Sequence, residues 1–390
     1  MDIKSFASKP DISTKEVTQA LEVAVMQIRR NLPDFTVNCQ NHSSVNHFYP
    51  ACDNTQWTCG FWPGEIWLAY EYTNDTAFRR SGQILVESFH ERIMRKIAVD
   101  HHDMGFLYTP SCVSSYRLTG NPDARRAALS AANCLLGRFQ PMGQFLQAWG
   151  ELGAEDNYRY IIDCLMNLPL LYWASEQTGS DSYRDIANKH TKTCFEHSIR
   201  ADGSTYHTVY MDPHTGKMVK GVTCQGYNDD SFWARGQAWA VYGTAISYRY
   251  TRDPSYLETF RNVLAFYLSK LPDDLVPYWD MIFTSGDTEP RDSSSASIVA
   301  CGLLEMAKYV AEDEASHYTA LAKQMMKSLV DNYSVKDPAI SNGLVLHATY
   351  SKKSPFNTCT PEGVDECASW GDYFYMEALT RLSKDWDSYW

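Results

Sequence analysis

The sequence predicts an all-α protein, an (α/α)6 barrel of six inner and six outer helices with short β-hairpin insertions. Three observations lead there. Apolar residues recur at helical spacing along most of the chain. A short turn phrase returns after several of the helices. The helices on either side of that phrase differ in kind.

The turn phrase reads Thr73-Asn74-Asp75, Thr119-Gly120-Asn121-Pro122, Thr178-Gly179-Ser180-Asp181 and Thr251-Arg252-Asp253-Pro254. In each, a stop signal meets an Asp, Asn, Ser or Pro start signal. The helix before it is apolar on nearly all sides, as in 161–174 and 232–248. The helix after it is amphipathic, as in 183–199 and 256–271. A helix apolar all round is buried, and one with a polar face lies outside.

In order, the inner helices fall at 60–72, 104–118, 161–176, 232–250, 295–310 and 371–382. Their outer partners fall at 15–31, 75–94, 123–139, 183–199, 256–271 and 317–332. Strand-like stretches at 144–149, 204–211, 217–223 and 343–350 separate the pairs. Six pairs can close into a ring; an open α-solenoid is the rival arrangement. In a ring, the N-termini of the inner helices gather at one end, where their free N–H groups suit an anionic ligand.

Composition narrows the function. With 44% hydrophobic and 21% charged residues the chain is ordinary globular material, and no linker divides it, so residues 1–390 are expected to form one catalytic domain. The net charge of −12 shows no basic stripe, which argues against nucleic acid as a partner. No apolar run is long enough for a bilayer, and Met1-Asp2-Ile3-Lys4 does not open a signal-like core. The 11 cysteines include no CxxC pair, which fits reduced thiols and a cytoplasmic location. Oligomeric state is left open.

Polar and aromatic residues cluster at the inner-helix starts. Asp103 precedes Met104, Asp163 follows Ile161-Ile162, and Asn167 lies one turn beyond it. Trp57 and Trp62 bracket the start of the first inner helix, Trp233, Arg235 and Trp239 open the fourth, and Trp370-Gly371-Asp372 opens the last. Indole faces and carboxylates are what a sugar site needs. Asp103 and Asp163 also read as helix N-caps, a common role for Asp. The apolar neighbours of Asp163 would desolvate its carboxyl and raise its pKa. Arg235 on an apolar helix needs an anion, from the protein or from a substrate. His101 and His102 are too adjacent to share one face, so no metal is expected. No GxSxG, P-loop or dinucleotide fingerprint occurs.

These phrases resemble the unsaturated glucuronyl hydrolases, glycoside hydrolase family 88. The resemblance rests on Trp57-Thr58-Cys59-Gly60-Phe61-Trp62, Asp100-His101-His102-Asp103-Met104-Gly105, Ile161-Ile162-Asp163-Cys164-Leu165-Met166-Asn167, Tyr206-His207-Thr208, Trp233-Ala234-Arg235-Gly236-Gln237-Ala238-Trp239 and Trp370-Gly371-Asp372-Tyr373. It implies the same barrel, with Asp163 as general acid and base and Asp103 as the second essential carboxylate. It implies a sugar pocket lined by Trp57, His207, Gln225, Trp233, Arg235 and Trp239, with Trp370 taken as a further binding residue. Cys224 stands where the family often has His. Relatives that accept sulfated sugars have Ser and Lys where this chain has Ser351-Lys352-Lys353-Ser354, a partial match.

The implied substrate is an oligosaccharide ending in an unsaturated uronic acid, with GlcNAc or GalNAc as leaving sugar. The implied reaction protonates C4 of the vinyl ether and adds water at C5, with no cofactor. Other readings are an unsaturated rhamnogalacturonyl hydrolase acting on pectin fragments, an epimerase on a similar barrel, a two-carboxylate hydrolase of ordinary type, and a carbohydrate-binding barrel without activity.

Overall fold

The computed structural model describes residues 9–390 except 285 and 287. The opening Met1-Asp2-Ile3-Lys4 lies outside the described residues. The inner helices are α2 (Phe61–Thr73), α4 (Met104–Tyr108) running through a π turn at Thr109–Val113 into α5 (Ser114–Thr119), α7 (Pro169–Thr178), α9 (Ala234–Thr251), α11 (Ser293–Met306) and α13 (Ser369–Ser383). The outer helices are α1 (Thr14–Phe35), α3 (Thr76–Met94), α6 (Pro122–Leu136), α8 (Asp181–Ser198), α10 (Pro254–Ser269) and α12 (Glu312–Ser328).

Burial separates the two sets. Every residue of α11 is buried, whereas α12 buries one stripe through Tyr318, Leu321, Ala322 and Met325. The inner helices form a closed circuit. The segment Ile162–Met166 packs on α9, α9 on α11, α11 on α13, α13 on α2, and α2 on the π turn after α4; α4 in turn meets α7. A solenoid would leave α13 far from α2, so their contact closes the barrel.

The recurring phrase is one turn used four times. Asn74, Gly120, Gly179 and Arg252 each end an inner helix in the left-handed conformation. The Thr before each donates to the carbonyl four residues back. Asp75, Asn121 and Asp253 then cap the next helix through their side chains.

The hairpins are β1 (Cys39–Gln40) with β2 (Ala51–Cys52), β3 (Phe139–Gln140) with β4 (Phe145–Leu146), and a sheet of β5 (Arg159–Ile161), β6 (Thr208–Met211) and β7 (Met218–Val222) in that order, all antiparallel. Two sequence expectations shift here. The third inner helix starts at Pro169, not at 161, because 159–161 pair with β6 and Ile162–Met166 forms a tight 3-10 turn. Pro169 has no N–H to give to a preceding turn and sits at the first helical position. The stretch 343–350 makes only isolated bridges, Val345 to Ser334 and Ala348 to Glu366.

Candidate active site

The inner-helix starts converge as the repeat implied. Asp103 is the residue before α4, Asp163 lies in the 3-10 turn that leads to α7, Arg235 is in the first turn of α9, Asp292 precedes α11 and Trp370 opens α13.

Asp103 and Asp163 face each other across His102. The His102 Nε2 lies 3.4 Å from Asp103 Oδ1 and 3.8 Å from Asp163 Oδ1. Neither aspartate caps a helix with its side chain. Asp103 Oδ1, Asp163 Oδ1 and His102 Nδ1 are buried polar atoms without a hydrogen-bond partner among the described residues. Buried groups of this kind are rarely left unpaired unless a ligand uses them. Asn167 holds the two acid-bearing segments together: its side chain accepts from Phe106 N–H at 2.8 Å and donates to the Asp163 carbonyl at 3.4 Å.

The two carboxyls are displaced in opposite directions. Burial and the adjacent Asp103 charge raise Asp163 well above the usual carboxyl range, with Arg235 pulling weakly the other way. Burial also pushes Asp103 up, but His102, His101 and the Asn167 amide outweigh it and hold it low. Burial pushes His102 down to about 4, so the ring is neutral between them. His101 accepts the Asp103 N–H on Nδ1 and meets the Ala98 carbonyl through Nε2, which assigns its proton to Nε2. One atom each of His102, Asp103 and Asp163 lie within 4.8 Å of one another, close enough to gather round a cation; His101 takes no part.

A cation and aromatic rings form the adjoining wall. Arg235 is buried and pairs with Asp292 at 3.0 Å. Its other terminal N–H groups go to the carbonyls of Thr349 and Tyr350 and to Gln225 Oε1. The guanidinium lies over Trp233 at 4.6 Å and Trp370 at 4.9 Å. Trp57 is half-buried, stacks on Trp370 at 5.4 Å and donates to the Tyr350 hydroxyl at 3.1 Å. His207 meets the Trp233 ring edge-on at 4.5 Å and accepts the Cys224 N–H on Nδ1. The backbone of Cys224, not its side chain, orients that histidine. Burial pushes His207 down to about 3, so it is neutral with its proton on Nε2.

One expectation changes. Trp239 and Trp370 have no exposed surface. Trp239 is enclosed by Phe106 and Phe374, and Trp370 lies behind Trp57, so both back the wall and offer no open platform. The anion that Arg235 needs is Asp292, a residue that nothing in its local sequence separates from the serines that follow it. The polar ends of Ser351, Lys352, Lys353 and Ser354 go to Thr360, Glu289, Asn357 and Tyr227. Among residues the sequence reading passed over, His102 is central; the clue was its place in Asp-His-His-Asp, read there only as a question about metals.

Comparisons with known proteins identify the family. Residues 30–380 match Glycosyl Hydrolase Family 88. The chain is 45% identical to the unsaturated chondroitin disaccharide hydrolase of Streptococcus pyogenes serotype M1, over 99% of this chain and 96% of that protein. A crystal structure of unsaturated glucuronyl hydrolase from Streptococcus agalactiae superposes with a TM-score of 0.95 at 44% identity, covering 100% of this chain and 97% of the other. A mutant of that enzyme complexed with dGlcA-GalNAc6S superposes with a TM-score of 0.87 at 41% identity, again over 100% and 97%. Family match, relatives and superposed structures lead to one statement: the chain belongs to glycoside hydrolase family 88.

Proposed function

We propose that this protein hydrates the C4=C5 bond of an unsaturated uronic acid at the non-reducing end of lyase-generated glycosaminoglycan disaccharides, with Asp163 as general acid and base. The observation that carries the reading is the pair of buried carboxyls, Asp103 and Asp163, set on either side of His102 with their Oδ1 atoms unpaired among the described residues, where burial and charge displace them in opposite directions. Paired carboxyls pushed apart in this way divide into one proton donor and one standing anion.

The chemistry follows from the substrate. Asp163 gives its proton to C4, and the vinyl ether becomes an oxocarbenium-like cation shared by C5 and the ring oxygen. Asp163, now a carboxylate, takes a proton from water as the water oxygen bonds to C5. The hemiketal opens to a C5 ketone. The ring oxygen becomes a hydroxyl on C1, and that hemiacetal collapses to an aldehyde and the free leaving sugar. The net change is addition of one water.

Asp103 holds ring hydroxyls and gains strength as positive charge develops. Trp57 is the sugar platform, because its ring is the partly exposed member of the Trp57–Trp370 stack. Arg235 has its four terminal N–H groups on protein acceptors. Carboxylate recognition therefore passes to its neighbours, the His207 Nε2–H and the Gln225 amide. Arg235 instead positions Gln225 and Tyr350.

Residues 1–390 are read as one catalytic domain acting in the cytoplasm, in keeping with free thiols at all 11 cysteines. No helix among the described residues is long and apolar enough to cross a membrane. The substrate class is supported by the relatives: one is named for chondroitin disaccharides, another was crystallised with dGlcA-GalNAc6S. The test is loss of ultraviolet absorbance of the conjugated double bond on unsaturated chondroitin, hyaluronan and pectin disaccharides. Loss on the glycosaminoglycan sugars is expected. Loss on the pectin sugar alone would transfer the protein to the rhamnogalacturonyl group.

A further inference from the structure

Two segments far apart in the chain fix the ring of Trp57. The indole Nε1–H donates to the Tyr350 hydroxyl at 3.1 Å. Tyr350 is itself held at both backbone groups. Its N–H donates to the Gly363 carbonyl at 2.8 Å, and its carbonyl accepts from Arg235 at 2.6 Å. The direction of the indole therefore depends on how the Tyr350 segment is joined to the loop that carries Trp57.

His42 makes that joint. It is buried, and all its polar groups have partners. Its backbone N–H donates to Oε1 of Gln56, the residue before Trp57, at 3.1 Å. Its carbonyl accepts the Ser369 N–H at 3.0 Å, beside Trp370. Its ring packs on Tyr350 with centroids 4.8 Å apart. Nε2 lies 2.8 Å from Glu362 Oε1, and Nδ1 lies 2.8 Å from Ser43 Oγ. An ionised carboxylate only accepts, so Nε2 carries the proton and Nδ1 accepts from the serine. Glu362 is bridged to Ser351, the residue after Tyr350, so its bond to His42 anchors the Tyr350 segment. The contacts close a ring: Trp57 to Tyr350, Tyr350 to His42, His42 to Gln56, and Gln56 to Trp57 along the chain. A Ser–His–Glu array also suggests a nucleophile. Ser43 is buried and Gly363 packs against its hydroxyl, so this array is a clamp.

We propose that His42 is a positioning residue for sugar recognition: with Glu362 it clamps the Tyr350 segment to the Trp57 loop and holds the indole in the orientation that the sugar ring stacks on. The inference rests on Trp57 being the sugar platform. A platform fixed before binding spares the complex the entropy of ordering it. Among the described residues, none of the hydrogen bonds or ring contacts of His42 reaches His102, Asp103 or Asp163. Its loss therefore weakens binding and leaves proton transfer alone.

The test measures the affinity of the full-length protein for unsaturated chondroitin disaccharide by calorimetry in an Asp163→Asn background, and KM and kcat in the wild-type background. His42→Ala should weaken affinity and raise KM severalfold with kcat nearly unchanged. His42→Gln, which keeps a donor for Glu362, should recover part of the loss. Glu362→Gln alters the clamp at a half-exposed position, without touching the core, and should move KM in the same direction. Trp57→Phe keeps a ring but removes the bond to Tyr350, so adding His42→Ala to it should have little further effect. Independent, multiplying losses in that double variant would overturn the proposal. So would a fall in kcat as large as the rise in KM, or an unchanged affinity in both His42→Ala and Glu362→Gln. If the Asp163→Asn parent binds no disaccharide, the functional reading fails and the clamp with it. That outcome appears before any His42 variant is measured, so the two failures are distinguishable.

Discussion

His102 stands 3.4 Å from one carboxylate and 3.8 Å from the other, and the chemistry of both depends on that spacing. With the ring neutral, Asp103 keeps its charge, and that charge helps hold the proton on Asp163. Asp163→Asn is expected to lower kcat by about 10²–10⁴-fold while disaccharide binding survives, since the loss of a general acid and base is of that size. Stopped assays with calorimetric binding check it, and a turnover close to wild type would remove Asp163 from its role. The Asp103 charge raises the Asp163 pKa, so its removal lowers that pKa. In Asp103→Asn the alkaline limb of kcat/KM against pH should therefore move to lower pH. An unmoved limb would mean that the two carboxyls do not communicate.

Two glycines test how the elements set the site. Gly105 lies in the first turn of α4, where a Cβ would come 2.3 Å from Asn167 Cα and 2.6 Å from its carbonyl oxygen. The close approach brings the Asp103 and Asp163 segments together. Gly105→Ala must separate them, at a cost of about 1–3 kcal/mol in stability and with a large loss of kcat. Gly120 ends α5 at φ +69° with no atom near its missing Cβ. Gly120→Ala should cost about 1–2 kcal/mol through backbone strain alone and leave kcat unchanged. Thermal melts with kinetics on both variants separate the cases, and equal kinetic damage would contradict the contrast.

Across the whole molecule, buried histidines and buried acids pull stability in opposite directions with pH. Burial pushes His190 and His207 down to about 3 and His102 to about 4, whereas burial and the neighbouring Asp372 carboxyl raise Glu65, and burial raises Asp372 to about 7. Glu65 isolates one side of this balance: it is buried, and its Oε1 has no hydrogen-bond partner among the described residues. Its folded pKa is raised, so its contribution is full below the unfolded value of about 4.3 and is lost as pH rises toward the folded value. Glu65→Gln keeps the shape without the ionisation. Its Tm relative to wild type should rise steadily as pH goes up from about 4.5 to about 8. A constant difference across that range would show that Glu65 titrates normally.

The sequence by itself determined the barrel, because alternation of all-apolar and one-faced helices states which helices lie inside, and the Thr-stop-start phrase makes four of the inner-to-outer turns with local hydrogen bonds. It also determined Asp103, Asp163 and Trp57 as site candidates, since they sit at helix starts in distinctive phrases. Only the tertiary structure decided what surrounds them. That Asp292 answers Arg235, that Phe106 and Phe374 enclose Trp239, and that His102 separates the carboxyls are contacts between segments far apart in the chain. Register decides the rest: pairing of 159–161 with β6 turned the expected start of the third inner helix into a strand and a 3-10 turn. Helical periodicity reports one segment's own faces, whereas burial, charge partners and pKa depend on which distant segment arrives against each face.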